Sequence, residues 1–372
     1  MSTPSPSPQP SAPAGQIRVL VVDDSAFMRQ AISRLLSSDP GIKVVDIARD
    51  GLEGLAKAKS LQPDVVTMDI EMPNLDGLAA LTRIRQEMQR PPAVVMCSSL
   101  TKSGSQATLK ALRLGAADFI AKEHSQCAAN VDDMGDELIA KVKAVAGCAS
   151  RVLASTAWKP ASQSTGRLSR THRFAPGDFE LVVVGSSTGG PPVLETLIEA
   201  LPAGFSCPII IAQHMPALFT KSLAERLHDM AAVRVVHGED GAPVGPGVVY
   251  VAPGGKQTRV RRNGGRLTLE VNDEPGGLLY KPCVNELFSS AARLTGSRTL
   301  GIICTGMGDD GLLGSRDLKG RGGTLLAQDM ASCVVYGMPR AVNMAGLCDA
   351  NLPPNDLADL LVSAGAAARR VA

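Results

Sequence analysis

The sequence lacks an excess of charge of either sign. Lys and Arg number 38 against 36 Asp and Glu, a formal net charge of +2 over 372 residues. No general nucleic-acid binder is implied by that balance, since such proteins carry a marked basic surplus. Long apolar runs are missing as well: none approaches the roughly 20 residues of a membrane span, so no direct membrane insertion is expected. The N-terminus does not show the charged-then-apolar layout of a secretory signal. Eight cysteines (Cys97, Cys127, Cys148, Cys207, Cys283, Cys304, Cys333 and Cys348) are scattered without a C-x-x-C pair. Several lie in apolar runs, which reads as reduced, mostly buried thiols in a cytoplasmic protein. The five histidines do not cluster into a zinc site.

What is present is ordinary globular composition, 44% hydrophobic, in a length that favours two domains. Residues 1–15 alternate Ser and Pro and are expected to form a disordered tail. From Ile17 the pattern becomes β-α-β-α, with strands expected at 17–22, 43–48, 64–68, 93–97 and 118–120. Between them lie helical spacings such as Met28, Ile32, Leu35 and Leu78, Leu81, Ile84; a last helix falls within 131–146. That alternation implies an open parallel sheet covered on both faces, with its ligand beyond the carboxyl ends of the strands.

Those ends carry unusual polar residues: Asp23-Asp24, Asp69, Ser98-Ser99 and Lys122. Crowded carboxylates repel unless a cation bridges them, and a hard divalent ion, most simply Mg²⁺, suits oxygen ligands. A carboxylate there can also accept a phosphoryl group. Asp23-Asp24, the run Met68-Asp69-Ile70-Glu71-Met72-Pro73-x-x-Asp76-Gly77, Ser98 and Lys122 resemble a response-regulator receiver domain over roughly 16–146. The resemblance implies a flavodoxin-like five-stranded sheet of order 2-1-3-4-5. It implies Asp69 as phosphoacceptor and Asp23, Asp24, Asp69 and Glu71 as the Mg²⁺ set. It also implies Ser98 and Phe119 at the switch positions, Lys122 at the phosphoryl group, and a chemotaxis-type histidine kinase as phosphodonor. The sequence departs from the family at Glu123, where a proline usually follows the lysine.

Residues 147–178 break the pattern. They are rich in Ser, Thr and Pro, hold five basic residues against Asp178, and read as an exposed linker. Trp158, the one tryptophan, sits inside it, either docked on a domain face or incidental. A second α/β pattern fills 179–372. Strands are expected at 181–184, 208–212, 233–236, 248–251, 299–304 and 323–326, with a hairpin turning at Asn263-Gly264-Gly265. This domain too is expected to be doubly wound, mostly parallel, with an antiparallel excursion.

The first of these strands runs into Gly185-Ser186-Ser187-Thr188-Gly189-Gly190 and then an amphipathic helix. The turn fits G-x-S-x-G, which presents a serine hydroxyl at a sheet's edge. The helix start would equally cradle a phosphate. Neither G-x-x-x-x-G-K-[ST] nor G-x-G-x-x-G is matched, which weakens the phosphate reading. His214 ends the second strand, and Thr305-Gly306-Met307-Gly308-Asp309-Asp310-Gly311 follows a later one. Ser187, His214 and either Asp309 or Asp310 can therefore meet on one rim. Serine needs a base within reach, and the base needs a carboxylate to hold its tautomer. A non-catalytic signalling output and a nucleotide-binding domain are the rival readings; no helix-turn-helix pattern or basic stripe favours a DNA-binding output.

The serine turn, Gln213-His214-Met215-Pro216, the Thr305–Gly311 run and Ala327-Gln328-Asp329-x-x-Ser332-Cys333-Val334-Val335-Tyr336-Gly337-Met338-Pro339 are similar to the protein-glutamate methylesterase (CheB) domain of bacterial chemotaxis. The resemblance implies Ser187 as nucleophile, His214 as base and Asp310 as orienting acid. Thr188 and Met307 would offer backbone oxyanion donors. It further implies hydrolysis of glutamate methyl esters on chemoreceptors, glutamine deamidation at the same kind of site, activation by phosphorylation, and no cofactor for the hydrolysis itself. Family members often carry His-Arg-Pro where this chain has Tyr280-Lys281-Pro282, so no role of that histidine is carried over.

Overall fold

The computed structural model describes residues 15–122, 129–146, 174–175, 177–274 and 277–365. The N-terminal tail, Glu123 and most of the linker, with Trp158, lie outside the described residues. Two parallel sheets organise the chain. The first holds β1 (Ile17–Val22), β2 (Ile42–Ala48), β3 (Val65–Asp69), β4 (Ala93–Ser99) and β5 (Asp118–Lys122). Its order is β2-β1-β3-β4-β5, and every pairing is parallel. Central strands of such a sheet are covered on both faces, so they read as unbroken apolar runs; Val19, Leu20, Val21, Val65 and Val66 are fully buried.

Helices α1 (Ala26–Ser37), α2 (Gly51–Leu61), α3 (Gly77–Glu87), α4 (Lys102–Arg113) and α5 (Ala129–Ala146) cover this sheet. Their starts are fixed locally. Ser25, Asp50, Asp76 and Thr101 each cap a helix by accepting a backbone N–H from the first turn. Glu53, whose N–H donates to Asp50, also accepts the Arg49 N–H just before the cap at 3.0 Å. These caps stop the chain just past the strand ends and bring the polar rim together.

The second sheet holds β6 (Leu181–Ser186), β7 (Ile209–Gln213), β8 (Arg234–His237), β9 (Val248–Val251), β12 (Thr299–Ile303), β13 (Thr324–Gln328) and β14 (Ala350–Leu352). The order is β14-β13-β12-β6-β7-β9-β8, parallel throughout. The antiparallel part is a separate two-stranded sheet, β10 (Gln257–Asn263) with β11 (Arg266–Asn272). Gly264 and Gly265 turn it with φ of 55° and 82°, which only glycine adopts cheaply. Strand β14 is a three-residue edge strand that periodicity does not announce.

Helices α6 (Gly190–Glu199), α7 (Ala217–Met230), α8 (Val284–Thr295), α9 (Leu312–Gly320), α10 (Met338–Met344) and α11 (Pro354–Ala364) complete this half. The hairpin packs through Val260, Leu267 and Leu269 into the core that also holds Leu287 and Phe288 of α8. Among the described residues no helix is long and apolar enough to cross a membrane.

The chain winds from β6 outward through β7, then returns to β12 on the other side of β6. The order reverses there, and in open α/β sheets the ligand crevice forms at that reversal.

The two halves touch through α4, β5 and α7. Ser105 and Ser222 hydroxyls lie 2.7 Å apart. Phe119 stacks on Phe219, with ring centroids 4.5 Å apart and planes at 25°. Thr188 donates its hydroxyl to Asp118 at 2.5 Å.

Candidate active site and phosphoacceptor cluster

Ser187, His214 and Asp310 follow three adjacent strands, β6, β7 and β12, at their carboxyl ends. The serine turn is held from several sides. The Ser187 N–H donates to the Thr305 carbonyl at 3.0 Å. Gln213 accepts the Ser186 hydroxyl at 2.6 Å and donates to the Ser187 carbonyl at 2.9 Å. The Thr305 hydroxyl donates to the Thr188 carbonyl at 2.9 Å, and its N–H donates to Gln328 at 2.8 Å. Gly190 must be glycine for Gln213 to do this, because a Cβ there would lie 2.1 Å from the Gln213 Oε1.

His214 Nε2 lies 2.8 Å from Asp310 Oδ2, while Nδ1 is buried without a hydrogen-bond partner. Asp310 is nearly wholly buried, and Asp309 is exposed. The open choice between the two acids thus resolves in favour of Asp310 as the residue that meets the imidazole. The start of α8 holds its carboxylate: Oδ2 also accepts the Val284 N–H at 2.7 Å, and Oδ1 accepts the Asn285 and Gly311 N–H groups at 2.9 Å each. Cys283 Sγ adds a contact at 3.3 Å. Burial works against the Asp310 charge. The His214 hydrogen bond and charge, with the backbone donors, outweigh it and bring the pKa below 3.8.

Ser187, Thr188, His214, Tyr280 and Met307 line one cavity of 530 Å³. Residues of the first half, among them Asp118, Phe119 and Lys141, line it too. The site is therefore built between the halves. Gln213, Thr305 and Gln328 are scaffold residues to which the sequence assigns no role, although all three lie inside the quoted motifs.

On the first sheet, Asp23, Asp24 and Asp69 each place a carboxylate oxygen within 4.8 Å of the others. Lys122 Nζ reaches Asp23 at 2.7 Å and Asp69 at 2.8 Å. Burial raises the pKa of Asp69; Lys122 opposes the shift and Asp23 adds to it. Glu71 does not join the carboxylate group: it sits two residues beyond β3 and is exposed. Ser98 is fully buried and donates to the Gly104 carbonyl of α4 at 3.1 Å. Phe119 points away from the acids, into the contact with α7.

A parallel α/β unit with an acidic rim is thus joined to one with a serine, histidine and aspartate at its switch point. Comparison with known proteins accords with this. Residues 19–128 match the response regulator receiver domain model and residues 182–361 match the CheB methylesterase model. A protein-glutamate methylesterase/protein-glutamine glutaminase of Oleidesulfovibrio alaskensis is 47% identical over 94% of this chain and 99% of its own. One from Lawsonia intracellularis is 45% identical over 93% of this chain and 99% of its own. The crystal structure of the Thermotoga maritima CheB methylesterase catalytic domain is 40% identical, with a TM-score of 0.48, covering 50% of this chain and 97% of that one. The chain belongs to the protein-glutamate methylesterase/protein-glutamine glutaminase family.

Proposed function

We propose that this chain is a phosphorylation-activated protein-glutamate methylesterase and glutaminase acting on chemoreceptors, with Ser187, His214 and Asp310 as its triad. The observation that carries the reading is the His214–Asp310 bond of 2.8 Å inside the cavity that Ser187 lines. Asp310 holds Nε2 protonated, so Nδ1 is the nitrogen left to take a proton. A buried imidazole nitrogen without a partner calls for one, and the serine hydroxyl of a substrate-bound site supplies it.

The steps balance as follows. Ser187 Oγ attacks the γ-carbonyl carbon of the methyl ester and its proton passes to His214 Nδ1. The developing oxyanion lies within reach of the Thr188 and Met307 N–H groups. The imidazolium returns the proton to the methoxy oxygen as the carbon–oxygen bond breaks and methanol leaves. Water then gives a proton to His214 and attacks the acyl-enzyme, and Ser187 regains its proton as glutamate is released. With a glutamine the same route expels ammonia.

Asp69 is the proposed phosphoacceptor, with a chemotaxis-type histidine kinase as donor. The oxygen donors of Asp23, Asp24 and Asp69 fit a Mg²⁺ ion, and Glu71 would contribute from the loop after β3 rather than through the carboxylate group. Held there, such an ion would offset the charge of an incoming phosphoryl group. Lys122, which already bonds Asp23 and Asp69, would add its charge to that neutralisation, and Ser98 and Phe119 would relay the change to α4 and to the contact with α7. In the unphosphorylated arrangement the receiver lines the cavity of Ser187 and grips its neighbour Thr188 through Asp118. Loosening that contact opens the site, a bistable interface biased by one charged group. A cytoplasmic location accords with a receptor's cytoplasmic part as substrate.

Methanol release from methylated receptor tests the function, with and without a small phosphodonor and Mg²⁺. Release should rise several-fold with the donor in the native chain, and not in Asp69→Ala; a native chain that releases no methanol overturns the reading. A second expectation concerns the interface. Phe119→Ala removes a stacked pair worth about 0.5–1.5 kcal/mol beyond its buried area. Basal methanol release without phosphodonor should therefore rise about two- to tenfold. An unchanged or lower basal rate would argue against release of this contact as the activating step.

A further inference from the structure

The proposed mechanism leaves one aromatic side chain of the cavity without a task. Tyr280 lies flat on the His214 imidazole, with ring centroids 4.2 Å apart and planes within 3°. Its backbone is fixed from two sides. Buried Gln257 donates to the Tyr280 carbonyl at 2.8 Å and accepts the Cys283 N–H at 2.9 Å. The neighbouring Lys281 carbonyl accepts the Gly255 N–H at 3.0 Å. The phenol end lies over the loop after Met307: a Cβ at Gly308 would be 3.1 Å from Tyr280 Oη. Burial, with Asp310 and Asp309 nearby, raises the Tyr280 pKa, so the ring stays neutral where the enzyme works.

We infer that Tyr280 is a positioning residue for the hydrolysis, acting through His214. An imidazole held by Asp310 alone can still rock about the Nε2 bond, and a parallel ring on one face removes that freedom. The plane of the ring, and Nδ1 with it, is then fixed by Asp310 and Tyr280 together. The stack contributes a second effect during the reaction. His214 becomes an imidazolium when Ser187 attacks, and a cation over the face of a neutral ring is stabilised by its quadrupole within about 6 Å. The benefit appears only once the proton has moved, so it lowers the barrier and leaves substrate binding alone. The ring also keeps water off that face of the base. This inference rests on the reading of His214 as the base.

The test compares Tyr280→Leu with Tyr280→Phe in the full-length chain, phosphodonor and Mg²⁺ present. Leucine fills the space without a π face and should lower kcat for methanol release about tenfold, with KM unchanged. Phenylalanine keeps the face and should recover most of that loss. The rate at which a fluorophosphonate labels Ser187 should follow the same order, because that reaction needs the activated serine but not the receptor. A rise in KM with kcat unchanged would make Tyr280 a substrate contact and overturn the inference. So would a phenylalanine variant as slow as the leucine one, which would assign the effect to the hydroxyl. His214→Ala separates the two layers: if it labels as fast as the native chain, the base assignment fails, whatever Tyr280 does.

Discussion

Ser187→Ala is expected to abolish methanol release from a methylated receptor without disturbing the fold. Ser187 is the proposed nucleophile, and removing such a serine from a triad costs about 10⁶ in kcat. The stability cost should be small. What anchors residue 187 is its backbone, through Thr305 and Gln213, and alanine keeps both bonds. The side chain itself is only partly buried, so the change should stay within about 0.5 kcal/mol of native stability. The variant should also accept phosphate at Asp69 at the native rate, since the acidic rim belongs to the other sheet. Loss of methanol release with phosphorylation and melting temperature intact is the expected result. Turnover retained above a thousandth of native would remove Ser187 from the mechanism.

Much of this architecture was legible because it is local. Unbroken apolar runs such as residues 19–22 and 209–212, short and rich in Val and Ile, suit interior strands, and the polar residue that ends each one then lies on the rim. Asp23, Asp69 and Lys122 follow from that rule; for Ser187 and His214 it reaches only the neighbouring Ser186 and Gln213, and the G-x-S-x-G turn and the family motifs point to the residues themselves. Other features depend on contacts between distant segments, which spacing and periodicity do not reveal; for the acid, only the family resemblance points to Asp310. Asp309 and Asp310 are chemically identical neighbours, yet one is exposed and the other lies buried beneath the N–H groups at the start of α8. The stack of Tyr280 on His214 needs the loop after the hairpin to fold back over β7. The stack of Phe119 on Phe219 needs the two sheets to meet. The carboxylate of Glu71 lies outside the acidic group because the chain turns away after Asp69 toward Pro73, which spacing by itself does not reveal.

Asp310→Asn puts the dependence on that buried carboxylate to the test. The acid accepts hydrogen bonds on both oxygens, from three backbone N–H groups and from His214. An amide has one accepting atom and one donating group. With its oxygen toward Asn285 and Gly311, its NH₂ faces the Val284 N–H and His214 Nε2. Nε2 must then accept rather than donate, which moves the ring proton to Nδ1 and turns a donor toward Ser187. The opposite orientation sets the NH₂ against the Asn285 and Gly311 donors instead. Either way a buried N–H is left unpaired, at a cost of about 1–3 kcal/mol, and in the first orientation the base is in the wrong tautomer. An acid-to-amide change of this kind lowers kcat by about 10⁴. The pH dependence gives an independent check. Asp310 has a folded-state pKa below the ordinary 3.8, so its charge stabilises the native chain fully above that value. The contribution fades as pH falls through the lower folded value. Native stability should thus fall more steeply than that of Asp310→Asn on acidification below pH 3.8. Parallel curves across the acid range would mean that Asp310 is not held as an anion. A native-like kcat in the variant would mean that His214 does not need it.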